Sequence, residues 1–439
     1  MATTEDKRCF RINKPPRLLV FGYPSKFARV GGLIWSKRVS DSISKSGVFD
    51  IRNISTERSS HAKLNTRQIV RNIIPCLVKD FYDAIHGLLT RPDVALLDSW
   101  GEANIILWRL LRIFRSDTRI VTVFHHYEPR ILPDHISRIN CSFAKAVAKW
   151  YNSFIEKLTS DMIRDSDMIL TVSRTSAKQI CSLYGVTGRH HIAIEEQKNA
   201  PFSSSKIRIV GIGVDRLTIA RGVQKDIDFF CIGRIEKLEG IDKIWSSVIK
   251  LRPDANFVMI GRASSSEMRH LRSIGINHKG QVSDEEKIQL YSRAKVFLFP
   301  SSREGFGIAL AEALHLGLAA VIWRLPVFEE LYSDSMLAKQ GTIRLVQRGN
   351  YESFAREALK ALDLYETRYR MISEPSSSTL PSIPLTTEST KNKTTTTLSV
   401  LKLEEDEEED EEEKYGHTNE RQTWQDVADK VVKALSELL

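Results

Sequence analysis

Two glutamates, Glu304 and Glu312, carry the clearest chemical signal in the sequence. The apolar run at 295–299 stops at Pro300-Ser301-Ser302-Arg303-Glu304-Gly305-Phe306-Gly307, and a helical pattern containing Glu312 follows. Glycines in such a loop let the backbone approach a ligand closely. The N–H groups that open the helix would face an anion such as a diphosphate. Glu304 sits in the loop and Glu312 about two turns into the helix, so both carboxylates can face one crevice. Each carboxylate oxygen accepts hydrogen bonds, which suits sugar hydroxyls. The bland alternative is a plain strand–turn–helix with two solvated acids. The run IALAEALHLG is otherwise almost wholly apolar, however, and an acid within it needs a partner or a ligand.

A crevice of this kind lies beyond the carboxyl ends of a parallel sheet, which requires strands alternating with crossover helices. Strand patterns fall at 17–22, 48–54, 93–97, 119–125, 168–172 and 206–210, with helical stretches at 33–46, 67–89, 101–114, 136–158 and 174–184. The alternation restarts with strands at 227–232, 256–261, 276–281, 295–299 and 319–323, and helices at 241–250, 264–273, 284–293, 307–316 and 351–365. Alternation predicts an α/β fold of two doubly wound domains, 17–210 and 224–373. Residues 374–417 combine a Ser/Thr/Pro-rich stretch with the acid run EEDEEEDEEE and are expected to be a disordered insertion. In 418–439, Trp424, Val427, Val431, Leu435 and Leu438 recur at helical spacing. That stripe predicts a last helix packing back on the body, with Thr423 as N-cap and Asp426 three positions on.

With 439 residues, the chain is too long for one core. No apolar run is long enough to span a bilayer. Collagen, coiled-coil and disulfide-scaffold classes are excluded. Cys9, Cys76, Cys141, Cys181 and Cys231 show no CxxC spacing, so no zinc site is suggested. The opening MATTEDKRCF lacks the apolar core of a secretory signal, so a cytoplasmic setting is expected. Lys and Arg total 64 against 55 acids, a net +9. Ten of those acids form the run at 404–413, so 64 bases face 45 acids elsewhere, an excess of +19. A basic body suits nucleic acid, an anionic membrane surface or a phosphate-rich ligand.

The spacing of Glu304 and Glu312 resembles the E-x7-E motif of family 4 retaining glycosyltransferases, which have the two-domain GT-B fold. Gly233-Arg234 with Glu239-Gly240-Ile241-Asp242 is similar to that family's GR…KGID segment, and Gly280 with Val282-Ser283-Asp284-Glu285-Glu286-Lys287 to its G.VSDEEK segment. Asp167 to Ser173 and Gly211-Ile212-Gly213-Val214-Asp215 match further family patterns. The resemblance covers about 17 to 365 and the terminal helix. It implies two Rossmann-like domains facing across a cleft. It also implies that Glu304 contacts the donor sugar, Glu312 the ribose hydroxyls, and Gly305, Phe306, Gly307 and Ile308 the donor phosphates and sugar. Arg234 would bind the diphosphate, Gly32 would let first-domain backbone reach it, and His125 would stand beside the donor sugar, with His126 as the alternative register.

The family carries a lysine where this chain has Glu239, and Lys237 is the residue that could replace it at the phosphates. Asp165-Ser166-Asp167 has the DxD spacing of metal-dependent enzymes, but it precedes a strand and reads as a capping turn. Neither a metal nor a cofactor is expected, the nucleotide-sugar being a substrate. Helix 136–158 carries Ile136, Ile139, Phe143, Val147, Trp150, Phe154 and Leu158 at helical spacing, with Arg138, Lys145, Lys149 and Lys157 on other faces. It reads as a core-facing helix with a solvated basic side, the sharper alternative being a membrane-surface helix. The expected activity is metal-independent, retaining sugar transfer from a nucleotide-sugar to a glycan, lipid or small-molecule acceptor, with peripheral contact at the inner face of an anionic membrane. A non-catalytic glycosyltransferase-like protein and a basic nucleic-acid binder are the alternatives. No zinc finger, RRM or helix-turn-helix pattern supports the latter.

Overall fold

The computed structural model describes residues 14–22, 31–55, 66–99, 101–127, 136, 141–186, 206–215, 223–373 and 422–439. The expected insertion at 374–417 lies outside them.

The first unit alternates β1 (Arg17–Phe21), α1 (Gly31–Ser46), β2 (Asp50–Ile54), α2 (Thr66–Leu89), β3 (Val94–Asp98), α3 (Glu102–Phe114), β4 (Arg119–Phe124), α4 (Ser142–Asp165), β5 (Met168–Thr171), α5 (Arg174–Tyr184) and β6 (Ile207–Ile209). The second runs β7 (Ile227–Ile232), a short 3-10 turn at Ile235–Lys237, α6 (Ile241–Leu251), β8 (Phe257–Ile260), α7 (Ser265–Ser273), β9 (Ile276–His278), α8 (Asp284–Arg293), β10 (Ala294–Phe299), α9 (Ile308–His315), β11 (Ala319–Trp323), α10 (Pro326–Tyr332), α11 (Met336–Lys339), β12 (Ile343–Val346) and α12 (Tyr351–Ser373). The final helix is α13 (Trp424–Ser436).

Both sheets are parallel, with strand orders β2-β1-β3-β4-β5-β6 and β12-β11-β10-β7-β8-β9. Each order reverses once, between β1 and β3 in the first sheet and between β7 and β10 in the second. The carboxyl edge at such a reversal is where adjacent crossover helices diverge and leave a crevice. Central strands such as β3 and β7 are apolar and buried on both faces because helices cover both sides. The second core centres on Phe229, Trp245, Trp323 and Phe354.

Three local expectations shift. The helix placed at 136–158 is Ser142–Asp165, running about two turns beyond its expected end. The edge strand β12 was not anticipated: among the described residues it pairs only with β11, and it carries Arg344 among its four residues, which dilutes an apolar run. α10 and α11 also escaped, being too short to show a helical period.

The terminal helix crosses back to the first unit. Trp424, Val427, Ala428, Val431, Ala434 and Leu435 are buried in the cluster that contains Leu18, Trp35 and Val123. Thr423 and Asp426 form a capping box, as their spacing predicts. Gln422 ties the helix start to β6, its side-chain N–H donating to the Val210 carbonyl at 2.8 Å while its own carbonyl accepts from Val214 N–H.

Candidate active site

The loops that leave β7 and β10 are knitted into one rim. Glu239 N–H donates to the Pro300 carbonyl and Ser302 N–H to the Lys237 carbonyl, each at 2.8 Å, and Leu238 bridges Ser301 antiparallel. On this rim the Glu304 carboxylate accepts from Ser301 Oγ at 2.8 Å. Gly307 then opens α9 in the left-handed region, φ 93°.

Glu312 is buried on α9, 7% exposed, and the partner that its apolar surroundings demand comes from within the domain. Lys287 Nζ on α8 donates to Oε1 at 2.7 Å and the Tyr291 hydroxyl approaches Oε2 at 3.1 Å. The same hydroxyl reaches the Ala309 carbonyl at 2.8 Å, so its one proton is shared. Burial first, and the Glu312 charge second, push the Tyr291 phenol well above its ordinary pKa.

Glu239 is answered by a cation. Arg348, just before α12, places Nε 2.7 Å and one terminal nitrogen 2.6 Å from Glu239 Oε2. Arg234 precedes the 3-10 turn, with a guanidinium nitrogen 3.6 Å from Glu236, which also lies 3.7 Å from Arg262.

The first unit meets this rim directly. His125 follows β4, and a Cβ on Gly305 would collide with the His125 carbonyl oxygen, so only glycine permits this approach. A Cβ on Gly32 would press into the His125 ring, 2.9 Å from Cδ2. Trp35 sits edge-on to that ring at 5.5 Å. The buried Nε2 of His125 has no hydrogen-bond partner among the described residues, and the Asp98 carboxylate stands 3.9 Å away. Burial, reinforced by neighbouring His126, lowers the His125 pKa to about 3, so the ring is neutral near pH 7. The two histidines diverge: His125 faces Gly32, whereas His126 Nε2 lies 3.3 Å from Lys237 Nζ. Lys237 thus contacts the first unit.

Phe306 behaves differently from its expected lining role. It is 3% exposed and belongs, with Ala311, to the first unit's cluster beside Trp35, and Ile308 packs against that cluster. Their side chains join the two units, leaving their backbone for a ligand. Glu304, Gly305, Gly307, Gly32 and His125 are therefore drawn together at the junction, with Lys237 at its edge. Glu312 lies behind the rim on Lys287 and Tyr291.

Sequence reasoning missed Glu330. Its carboxylate on α10 accepts from Arg174 N–H at 2.8 Å, Thr175 N–H at 2.6 Å and the Thr175 hydroxyl at 2.7 Å, capping α5 of the other unit. No local pattern signals a cap supplied from 155 residues away. The DxD spacing straddles a helix end: Asp165 is the last residue of α4, and Asp167 lies in the bend before β5. Asp165 accepts from Trp108 and Arg112, and Asp167 accepts from Ile120 N–H at the amino end of the sheet.

Residues 219–375 match the family model described as glycosyl transferases group 1. That segment carries the rim, Glu304 and Glu312. Over 171 residues the chain is 29% identical to the GtfA subunit of a UDP-N-acetylglucosamine–peptide N-acetylglucosaminyltransferase from Streptococcus pneumoniae, covering 36% of this chain and 33% of that protein. Over 252 residues it is 23% identical to an O-antigen chain mannosyltransferase of Salmonella typhimurium, covering 52% and 64%. The chain thus spans between one third and just under two thirds of these relatives. Sucrose-phosphate synthase from Thermosynechococcus elongatus shares the fold, with a TM-score of 0.52 at 12% identity over 83% of this chain and 100% of that one. The matched segment includes all six strands of the second sheet.

Proposed function

We propose that the chain is a retaining, metal-independent glycosyltransferase that moves a sugar from a nucleotide-sugar donor to a glycan, lipid or small-molecule acceptor. The observation that carries the reading is the meeting of the Glu304–Gly307 loop with His125 and Gly32, at the carboxyl edge of a sheet matching a glycosyltransferase family. Backbone N–H groups at the start of α9, together with Arg234, suit a diphosphate. Their donors would stabilise the charge that develops on the leaving group. Glu304 would contact the donor sugar as positive charge develops at its anomeric carbon. A neutral His125 can hydrogen-bond a sugar hydroxyl without adding charge.

Glu312 would hold ribose hydroxyls. A carboxylate offers about four acceptor sites, and Lys287 and the shared Tyr291 proton leave capacity for neutral hydroxyl donors. The pairing of Glu239 with Arg348 weakens the case for a degenerate site, because the acid's charge is already compensated. Calorimetric titration with UDP, GDP and ADP, with and without chelator, tests donor class and metal independence. The anomeric configuration of a transferred sugar, read by NMR, tests retention. No binding of any nucleoside diphosphate would favour a non-catalytic role.

A further inference from the structure

The periodic stripe on α4 points outward. Phe143, Val147, Trp150 and Phe154 are 78%, 45%, 64% and 45% exposed, while Ala148, Ile155, Thr159, Met162 and Ile163 face the core. These four positions fall at i, i+4, i+7 and i+11, one straight row along the helix. Trp150 and Phe154 stack on each other in the open, 5.3 Å between ring centres and 8° between planes. The expectation of a core-facing stripe therefore fails from Phe143 to Phe154. The core face is the neighbouring one, built partly from small and polar residues.

We propose that this stripe docks the protein on an anionic lipid bilayer. Charge complementarity selects the occupant. From 142 to 155 the helix carries Lys145 and Lys149 and no acid, its acids starting at Glu156. An in-plane helix needs large apolar side chains on one side and lysines on the flanks to meet headgroup phosphates. Exposed apolar side chains also occur on another helix of this unit. Phe81, Tyr82 and Leu89 on α2 are 50%, 70% and 70% exposed, and both helices pack on the cluster around α3. Because the strands are parallel, α4 runs back from the carboxyl edge, so Phe143 starts the stripe on the side of the sheet that carries His125.

Flotation of the full chain with phosphatidylcholine vesicles, with and without phosphatidylglycerol, tests this. The protein is expected to float with the anionic vesicles and far less with the neutral ones, and high salt should reduce the difference. The double variant Phe143→Ser/Trp150→Ser should lose roughly tenfold or more of that binding. Lys145→Glu/Lys149→Glu should lose at least about fivefold, on anionic vesicles only. All four side chains are partly or fully exposed, so folding should survive. Leu251→Ser, an equally exposed apolar site on the second unit, should float like wild type. Equal flotation of wild type and the Phe143/Trp150 variant would overturn the proposal. So would failure of wild type to prefer anionic vesicles. A lipid-free dimer that the apolar variant converts to a monomer would overturn it too, assigning the stripe to a second copy.

Discussion

Glu239 and Arg348 form an ion pair that joins the rim of the candidate site to the start of α12. The position where the resembled family carries lysine thus holds a compensated charge. Arg348→Ala should expose the Glu239 charge and weaken nucleoside diphosphate binding by about two- to fivefold at low salt. Glu239→Lys should strengthen it by a similar factor. Calorimetry at two salt concentrations reads both. A loss of affinity in Glu239→Lys would mean that the pair's geometry, not its charge, supports the rim.

Glu304 and Glu312 should fail differently. Glu304→Gln keeps the shape and the Ser301 contact but removes charge, so turnover should fall about a hundredfold while nucleotide binding survives. Glu312→Ala should weaken nucleotide binding by about 1–3 kcal/mol. It also strips Lys287 and Tyr291 of their shared acceptor, so thermal stability should drop in that variant alone. Wild-type transfer and binding in both would sink the proposed roles.

His125 makes stability pH-dependent with a defined sign. Unfolded, the ring takes a proton near its ordinary pKa of 6.5; folded, only near 3. Between those values the unfolded state binds more protons. The contribution is therefore present above pH 6.5 and lost as pH falls toward 3, with a slope of at most about 1.4 kcal/mol per pH unit. Denaturant titrations at several pH values should show a shallower dependence for His125→Gln. Identical slopes would place the ring in contact with water.

The Glu330 cap should tie the two units together. Glu330→Ala removes the acceptor for Arg174 and Thr175 and should cost about 1 kcal/mol. Glu330→Gln retains one oxygen and should cost less. Chemical unfolding of both variants measures this. Wild-type stability in each would show that solvent replaces the cap at no cost.

Removing α13 should be far more damaging than removing the segment before it. Truncation after Tyr415 uncovers the cluster around Leu18 and Trp35, each lost apolar side chain being worth about 1.5–3 kcal/mol when fully buried. Excision of 376–416, which keeps the helix, should leave the melting temperature nearly unchanged. Equal losses in the two proteins would contradict the compositional reading of that segment.

The sequence by itself determined what local periodicity and chemistry can encode. The alternation of strands and helices, the Thr423 cap with Asp426, and the placement of Glu304 in a loop and Glu312 on a helix all depend on neighbours a few residues apart. Tertiary structure alone decided which distant groups complete them. Lys287 reaches Glu312 across 25 positions and Arg348 reaches Glu239 across 109, because two crossover connections converge on one sheet edge. It also decided which side of a periodic helix is covered. The spacing of Phe143, Val147, Trp150 and Phe154 states only that they share a face. Whether that face meets a core depends on how the helix is rolled against the sheet. Ala148, Ile155, Thr159, Met162 and Ile163, not the aromatic stripe, turn inward there.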